Sequence, residues 1–557
     1  MAMMTRKKAF GKSSGSSGSG RSSSPERPYP APKTPPCVNG CPNGTEIRTI
    51  LRTLADTERF GRTLEQSYEL AWRLDAEKNP LVAVIGRVCP HPCETACNRK
   101  DHDAAVGINC LERFLGDWAL EKGLALTRLT EEKSGKKIAV IGAGPAGLSC
   151  AYQLARRGHA VTVFEAFPEA GGMLRYGIPA YRLPRKVLKA EIDRIFALGI
   201  ELRTTTRIGS DVSFADLQRD YDAVFVGLGA HSGKKLYVEG EDASNVITGA
   251  AFLHRVNAGE KLSIGKKVIV VGGGDSAIDA ARMAKRLGAD VRIMYRRTIA
   301  EMPAIEHEVR EAEAEGIPID FLATPVGIVR EGDRATKIRC IKMELGEPDQ
   351  SGRRRPVPIE GSDYELEIDT LIPAISQDTD YRGLETLRGD KKWLTADEFG
   401  RTSLDKVYAG GDVLDLRLVI TAIAQGRKAA ESIDASFRGE QPSAEAKLPI
   451  ILTDNMRLHH YEKVERHERP SLPAAERWAD PEVEIISGLS AEEALAEAKR
   501  CMSCGYCFDC EKCWMFCQDQ AIGKPHNVGE FYVYKHNLCT GCQKCAKVCP
   551  CGFLDMR

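Results

Sequence analysis

"KKIAVIGAGPAGLSCAYQLARRGHAVTVFE", residues 136–165, reads as an apolar strand, a glycine turn, a helix and a second strand. Gly142 permits the tight turn, Gly144 lets backbone approach a pyrophosphate, and Gly147 allows close packing of helix on strand. The helix N-terminus then faces the anion. Glu165 follows Gly142 by 23 residues and ends the second strand, where a carboxylate can accept ribose hydroxyls. A glycine turn alone is a weak signal. Flanked by strand, helix and acid, it reads as a dinucleotide site.

The pattern returns about 130 residues later in "KKVIVVGGGDSAIDAARMAKRLGADVRIMYRR", residues 266–297, with Gly272, Gly274 and, at the third position, Ala277. Arg296 and Arg297 stand where the first copy has its acid. Guanidinium groups there welcome a 2′-phosphate, which favours NADPH over NADH, although paired arginines also suit a solvated strand edge. Two fingerprints imply two dinucleotides, and an enzyme reading both commonly joins NADPH or NADH to a flavin, here FAD at the first site. Cys150 and Cys340 stand alone between residues 111 and 500, so dithiol chemistry is not expected. Hydride transfer demands no side-chain acid or nucleophile, and no catalytic residue is nominated.

The chain has 557 residues, enough for several cores. Its formal net charge is zero, so no global basic field draws nucleic acid or a membrane surface. No run approaches the eighteen or so apolar residues of a membrane span, and no secretory h-region opens the chain. Nineteen cysteines then point to a reducing cytoplasm. Six lie between Cys37 and Cys110 and eleven between Cys501 and Cys551. Such clustering marks metal sites at both ends of a cysteine-poor middle.

Cys507, Cys510, Cys513 and Cys517 have C-x2-C-x2-C-x3-C spacing, repeated by Cys539, Cys542, Cys545 and Cys549 before Pro550. In the bacterial two-cluster ferredoxin pattern the fourth cysteine of each run serves the other cluster. One [4Fe-4S] cluster is thus expected on Cys507, Cys510, Cys513 and Cys549, the other on Cys539, Cys542, Cys545 and Cys517. Zinc fits two such runs less well.

These signals divide the chain. Residues 1–34, rich in Ser, Gly and Pro, read as a disordered arm, with a transit peptide of similar composition as the alternative. Residues 35–133 read as a helical Fe-S domain, since "EIRTILRTL" and "LEQSYELAWRL" carry helical periodicity. The FAD-binding domain is expected at 134–240 and 365–440 and the NAD(P)H-binding domain at 241–364. A linker is expected at 441–500, and a ferredoxin-like α+β domain at 501–557. The fold class is α/β multidomain, with two Rossmann-like domains between the iron-sulfur domains.

Residues 404–430, "LDKVYAGGDVLDLRLVITAIAQGRKAA", resemble the segment that closes the flavin site in two-dinucleotide-binding-domain flavoproteins. That resemblance implies that Asp412 contacts the ribityl chain. More broadly, "NPLVAVIGRVCPHPCETACNR", "INCLERFLGDWAL", "GGMLRYGIPAYRLP", "GGGDSAIDAARMAKRLGA" and "YRRTIAEMPA" resemble the small, electron-input subunit of glutamate synthase and its relatives. These relatives include the NADPH subunit of bifurcating transhydrogenases and the iron-sulfur flavoprotein associated with dissimilatory sulfite reductase; with the ferredoxin tail, the last looks closest. The resemblance runs from Pro35 onward. Within its motifs Gly172, Leu174, Asp275 and Ser276 are candidate cofactor contacts.

The resemblance also implies two [4Fe-4S] clusters in the N-terminal domain, one with a Glu or Gln ligand. Cys37 and Cys41 match the end of the family's early four-cysteine run, whose first half is missing here. Family members write that half as "EA-x-RC-x-x-C", and "EAKRCMSC" occurs at residues 497–504. The expectation is one cluster on Cys37, Cys97, Cys501 and Cys504, and another on Cys41, Cys89, Cys93 and Glu112, with Cys110 a rival for the last place. The implied function is an NAD(P)H:acceptor oxidoreductase passing electrons to a partner redox enzyme or ferredoxin, as part of a hetero-oligomeric complex. A glutamate synthase small subunit and a non-enzymatic cluster scaffold are the alternatives.

Overall fold

A computed structural model describes residues 24–350, 352–388, 392–443, 448–478 and 480–557. They form two compact units. The larger comprises residues 35–447 and 463–502; the smaller comprises the chain up to Thr34 together with residues 448–462 and 503–557. Among the described residues no helix is long and apolar enough to cross a membrane.

The larger unit starts with helices Ile47–Ala55, Leu64–Ala76, Val82–Val88 and Ile108–Glu121. Helical spacing places Ile47, Ile50, Leu51 and Leu54 on one buried face. A capping box starts the second helix: the Thr63 hydroxyl accepts the Gln66 N–H, and the Gln66 side chain accepts the Thr63 N–H. Leu54, Trp72, Leu81, Leu111 and Leu115 are buried at the centre, each worth about 1.5–3 kcal/mol on removal from water. Val82–Val88 and Ile108–Glu121 pack unusually closely because each offers a glycine, Gly86 against Arg113 and Gly116 against Ala83.

The first fingerprint builds a parallel five-stranded sheet in the order Val407–Ala409, Ala223–Val226, Lys137–Ile141, Ala160–Phe164, Glu201–Arg203. Strand residues 138–141 are buried on both faces, as a sheet covered by helices requires. Helix Pro145–Ala155 covers it and packs along Val419–Phe437, where Gly426 meets the Ala146 backbone.

The second fingerprint builds another parallel sheet, ordered Thr370–Pro373, Lys267–Val271, Asp290–Tyr295, Ile319–Phe321. Thr370 pairs with Val268, so this sheet draws on chain beyond the expected boundary at residue 364. An antiparallel sheet of Ala323–Glu331, Arg334–Pro348, Arg354–Pro358 and Tyr364–Glu367 is inserted before that last strand. Strands Ser232–Gly233 and Gln377–Asp378 pair where the chain crosses out of and back into the flavin-type sheet.

The stretch expected as a linker contains packed structure from residue 463 onward. Helix Ala491–Lys499 opens with a Ser490–Glu493 capping box and buries Ala494, Glu497 and Ala498. Its charge content hides this because the charges are paired. Arg500 bonds Asp103 at 3.0 Å and Glu497 at 2.6 Å, and Arg477 pairs with Glu311 and Glu315.

In the smaller unit, Ile522, Tyr532, Cys545, Cys549, Cys551, Phe553 and Leu554 form the core. Hairpin strands Ile522–Gly523 and Val533–Tyr534 pair across it. The expected disordered arm requires correction in its second part. Residues 1–23 lie outside the described residues, but Pro28–Pro30 pairs antiparallel with Leu554–Met556, and Thr34 bridges to Ile450. Backbone hydrogen bonds, which a compositional reading does not see, hold this segment; Arg27 and Arg557 exchange both of theirs.

Candidate functional site

The first glycine turn opens a cavity of about 430 Å³ lined by Gly142, Gly144, Glu165, Gly172, Leu174 and Asp412, with Thr206, Arg207, His231 and Asp380. Gly142 has φ +94°, and a Cβ there would run into the Gly227 carbonyl. Gly147 lies behind the cavity, where a Cβ would run into the Gly142 carbonyl, so its work is helix-strand packing. Glu165 is buried; its carboxylate accepts the N–H groups of Ala143 at 2.8 Å and Phe167 at 2.9 Å. Burial pushes that carboxyl up, with these amides opposing. Burial pushes Asp412 up to about 6, with the Arg417 N–H opposing and Asp415 adding. A glycine cradle too tight for any side chain, an acid at the strand end and a second acid across the cavity fit FAD.

Arg207 and His231 escaped the sequence reading. Arg207 sits 3.5 Å from Asp380. Burial pushes His231 down to about 4, with His254 and Arg207 adding, so its imidazole is neutral. His231 and His254 both pack against Phe167.

The second turn opens a cavity of about 660 Å³ lined by Gly272, Gly274, Asp275, Ser276, Arg296, Arg297 and Arg353. Asp275 is partly committed to structure, since its Oδ1 accepts the Ile305 N–H at 2.9 Å. Arg297 is likewise engaged: it donates to the Arg354 carbonyl at 2.7 Å and pairs with Asp349 at 2.6 Å. Arg296 is exposed at the cavity edge. Arg353 comes from the turn between Arg334–Pro348 and Arg354–Pro358, far from the fingerprint, and no spacing rule reaches it. Met173, Asp412 and Arg417 line both cavities, which therefore adjoin.

Cys41, Cys89, Cys93 and Glu112 line a third cavity, together with Asp75, His91 and Ile420. Burial pushes Cys89 up, with Glu112 and Cys41 adding, and pushes Cys93 up, with Glu94, Cys41, Glu112 and Cys89 adding. Glu112 is pushed up by burial and then by Asp75 and Cys41, while the Asn79 side chain donates to it at 3.1 Å. Cys110 faces elsewhere. Two residues along a helix is about 200° of rotation, and its electrostatic neighbours are Arg469, Glu94 and Arg466. Cys37 and Cys501 border the core in which Cys97 is buried, and Arg99 donates to the carbonyl of Arg500. Cys504 falls in the smaller unit.

In the smaller unit the thiols sort into two sets. Burial pushes Cys510 up to about 11, with Cys549 and Cys507 adding, and pushes Cys513 up with Cys507, Cys510 and Cys549 adding. Burial also pushes Cys545 up to about 11, with Cys539, Cys517 and Cys542 adding. Each set draws one cysteine from the other's run. Thiols are the soft donors that iron-sulfur clusters use.

Two adjoining cavities at glycine turns and two ferredoxin-spaced cysteine runs define a pyridine-nucleotide-linked iron-sulfur flavoprotein. Residues 136–426 match the pyridine nucleotide-disulphide oxidoreductase family, to which the chain belongs, and residues 30–124 match dihydropyrimidine dehydrogenase domain II, 4Fe-4S cluster. The chain is 42% identical over 477 residues to the beta subunit of an NADP(+)-dependent formate dehydrogenase from Moorella thermoacetica, covering 78% of this chain and 67% of that one. It is 39% identical over 471 residues to the NADPH-Fe(3+) oxidoreductase subunit beta of Geobacter sulfurreducens, covering 76% and 70%. It is 38% identical over 387 residues to the glutamate synthase [NADPH] small chain of Escherichia coli, covering 65% and 82%. FAD, NAD(P)H and [4Fe-4S] clusters are its cofactors.

Proposed function

We propose that this chain is the NADPH-oxidising, electron-input subunit of a larger redox assembly. The observation that carries the reading is the sharing of Met173, Asp412 and Arg417 by the two nucleotide cavities. Hydride transfer requires donor and acceptor rings in contact, and only adjoining cavities supply that. FAD held in the first cavity would supply the conversion of a two-electron hydride into the single electrons that iron-sulfur clusters carry. The protein's part is orientation. Glu165 holds the first turn and offers its remaining lone pairs to a ribose, Gly272 and Gly274 admit a pyrophosphate at a helix N-terminus, and Arg296 and Arg353 give the cavity a cationic wall.

Cys41, Cys89, Cys93 and Glu112 are the ligand set we assign to a cluster in the helical domain; two further sets are assigned in the smaller unit. The similar proteins from Moorella and Geobacter are named as beta subunits, which supports a partner subunit as electron acceptor. Keeping so many thiols reduced suits the cytoplasm. The test is an anaerobic titration with NADPH. Bleaching of the flavin band followed by reduced-cluster electron paramagnetic resonance signals is expected. A flavin that NADPH does not bleach, or a protein inactive with an artificial dye acceptor, would leave only a scaffold.

A further inference from the structure

The smaller unit is built as a repeat with a constant offset of 32 residues, from Cys507 to Cys539 and from Cys517 to Cys549. The backbone obeys the same offset. Asp509 and Gly541 have φ +61° and +74°, Glu511 and Gln543 have +64° and +63°, and Gln520 and Gly552 have +53° and +68°. Hydrogen bonds to sulfur follow suit, the Ala521 N–H reaching Cys517 Sγ at 3.3 Å and the Phe553 N–H reaching Cys549 Sγ at 3.3 Å.

The halves differ in the residue that stands beside the fourth cysteine of each run. Two residues after Cys517 stands Asp519, whose carboxylate turns to the Thr540 N–H and hydroxyl at 2.9 and 2.7 Å. Two residues after Cys549 stands Cys551, whose Sγ lies 3.9 Å from Cys549 Sγ. Cys551 is 2% exposed, and its carbonyl accepts the Gly505 N–H at 2.7 Å, so its backbone is anchored and its thiol is buried. Neither four-cysteine run requires it. A cluster-bound Cys549 is a thiolate without a proton, so the hydrogen of this contact belongs to Cys551 and points at the ligand sulfur.

We propose that Cys551 is a positioning residue that makes the two clusters of the smaller unit unequal, by adding one S–H···S hydrogen bond to the Cys549 thiolate that the other half lacks. The inference rests on the assignment of Cys507, Cys510, Cys513 and Cys549 to one cluster and Cys517, Cys539, Cys542 and Cys545 to the other. A hydrogen bond to a ligand sulfur withdraws negative charge and favours the reduced cluster, raising its potential. Cys551 therefore shifts the Cys549-linked cluster toward its reduced form.

The test is redox titration of the full-length protein and its Cys551→Ala and Cys551→Ser variants, followed by electron paramagnetic resonance, with iron counted in each. Expected are unchanged iron, one cluster signal of Cys551→Ala moved to a more negative potential, the other signal unmoved, and partial recovery in Cys551→Ser, whose hydroxyl also donates. Unchanged iron with no displaced signal, or with both displaced equally, overturns the inference, as does loss of a cluster's iron from Cys551→Ala, which would make Cys551 a ligand. If the wild-type protein itself lacks the iron of two clusters in this unit, the ligand assignment fails first, and Cys549→Ser in the same series identifies that outcome.

Discussion

The Glu165 carboxylate lies 2.8 Å from the amide nitrogen of Ala143, the middle residue of the Gly142–Gly144 turn. An acid at this strand end thus braces the phosphate-binding turn from beneath while facing the flavin cavity. Hydrogen bonds to an ionised acceptor are worth about 1.5–3 kcal/mol. Glu165→Ala is therefore expected to weaken FAD binding roughly ten- to a hundredfold, read by titrating flavin-free protein with FAD. Affinity equal to wild type would mean that the acid does not touch the cofactor.

Arg353 and Arg296 face the second cavity, whereas Arg297 is spent on Asp349 and the Arg354 carbonyl. Removing Arg296 or Arg353 should raise KM for NADPH about tenfold or more, by loss of a charge-assisted hydrogen bond, and leave KM for NADH unchanged. Steady-state kinetics with both nucleotides checks this, and equal losses for NADH and NADPH would count against 2′-phosphate recognition.

What the sequence made legible follows from how far each signal reaches. Strand, turn and helix of both fingerprints are local, and Gly142, Glu165 and Gly272 lie where their spacing places them. The ferredoxin spacing is local in the same way, and Cys549 is among the groups that raise Cys510 and Cys517 among those that raise Cys545. Arg353, Arg207 and His231 were invisible because each reaches its cavity from a segment without a motif of its own. Residues 463–500 were misread because buried ion pairs such as Arg500–Glu497 make a packed segment look solvated. The boundary near residue 364 was misplaced because an inserted antiparallel sheet delays the last parallel strand, Thr370–Pro373.

Acid should open the second nucleotide domain at its buried ion cluster. Arg282 bonds Glu308 at 2.5 Å and Glu315 at 2.8 Å, and Arg286 bonds Glu315 at 2.7 Å. Burial pushes Glu315 up, but the Arg286 and Arg282 hydrogen bonds outweigh it and hold the carboxyl down at about 2 against an ordinary 4.5. A depressed carboxyl contributes stability that is complete above its unfolded value and disappears as pH falls through the folded one. Stability should therefore decline between about pH 4.5 and 2. Glu315→Gln should flatten that decline, and Arg282→Ala, which takes one arginine from Glu308 and Glu315 while Arg182 still holds the first and Arg286 the second, should cost about 1.5–3 kcal/mol at neutral pH. Chemical unfolding across pH measures both.

Gly116 poses the sharpest test of the helical domain. In an ordinary helix interior, replacing glycine by alanine stabilises by about 0.5–1 kcal/mol. Here the added Cβ would run into the backbone of Ala83, and the same change at Gly86 would run into the backbone of Arg113. Backbone cannot move aside as a side chain can, so the two helices must separate. Helix Ile108–Glu121 carries Glu112, and helix Val82–Val88 leads directly into Cys89. Gly116→Ala should thus reverse the usual sign, destabilising by about 1–3 kcal/mol, and should lower the iron held in this domain while flavin content and the clusters of the smaller unit are retained. Iron analysis beside cluster spectra reads this directly; a variant as stable as wild type with its full iron would show that the crossing is looser than the glycine pair implies.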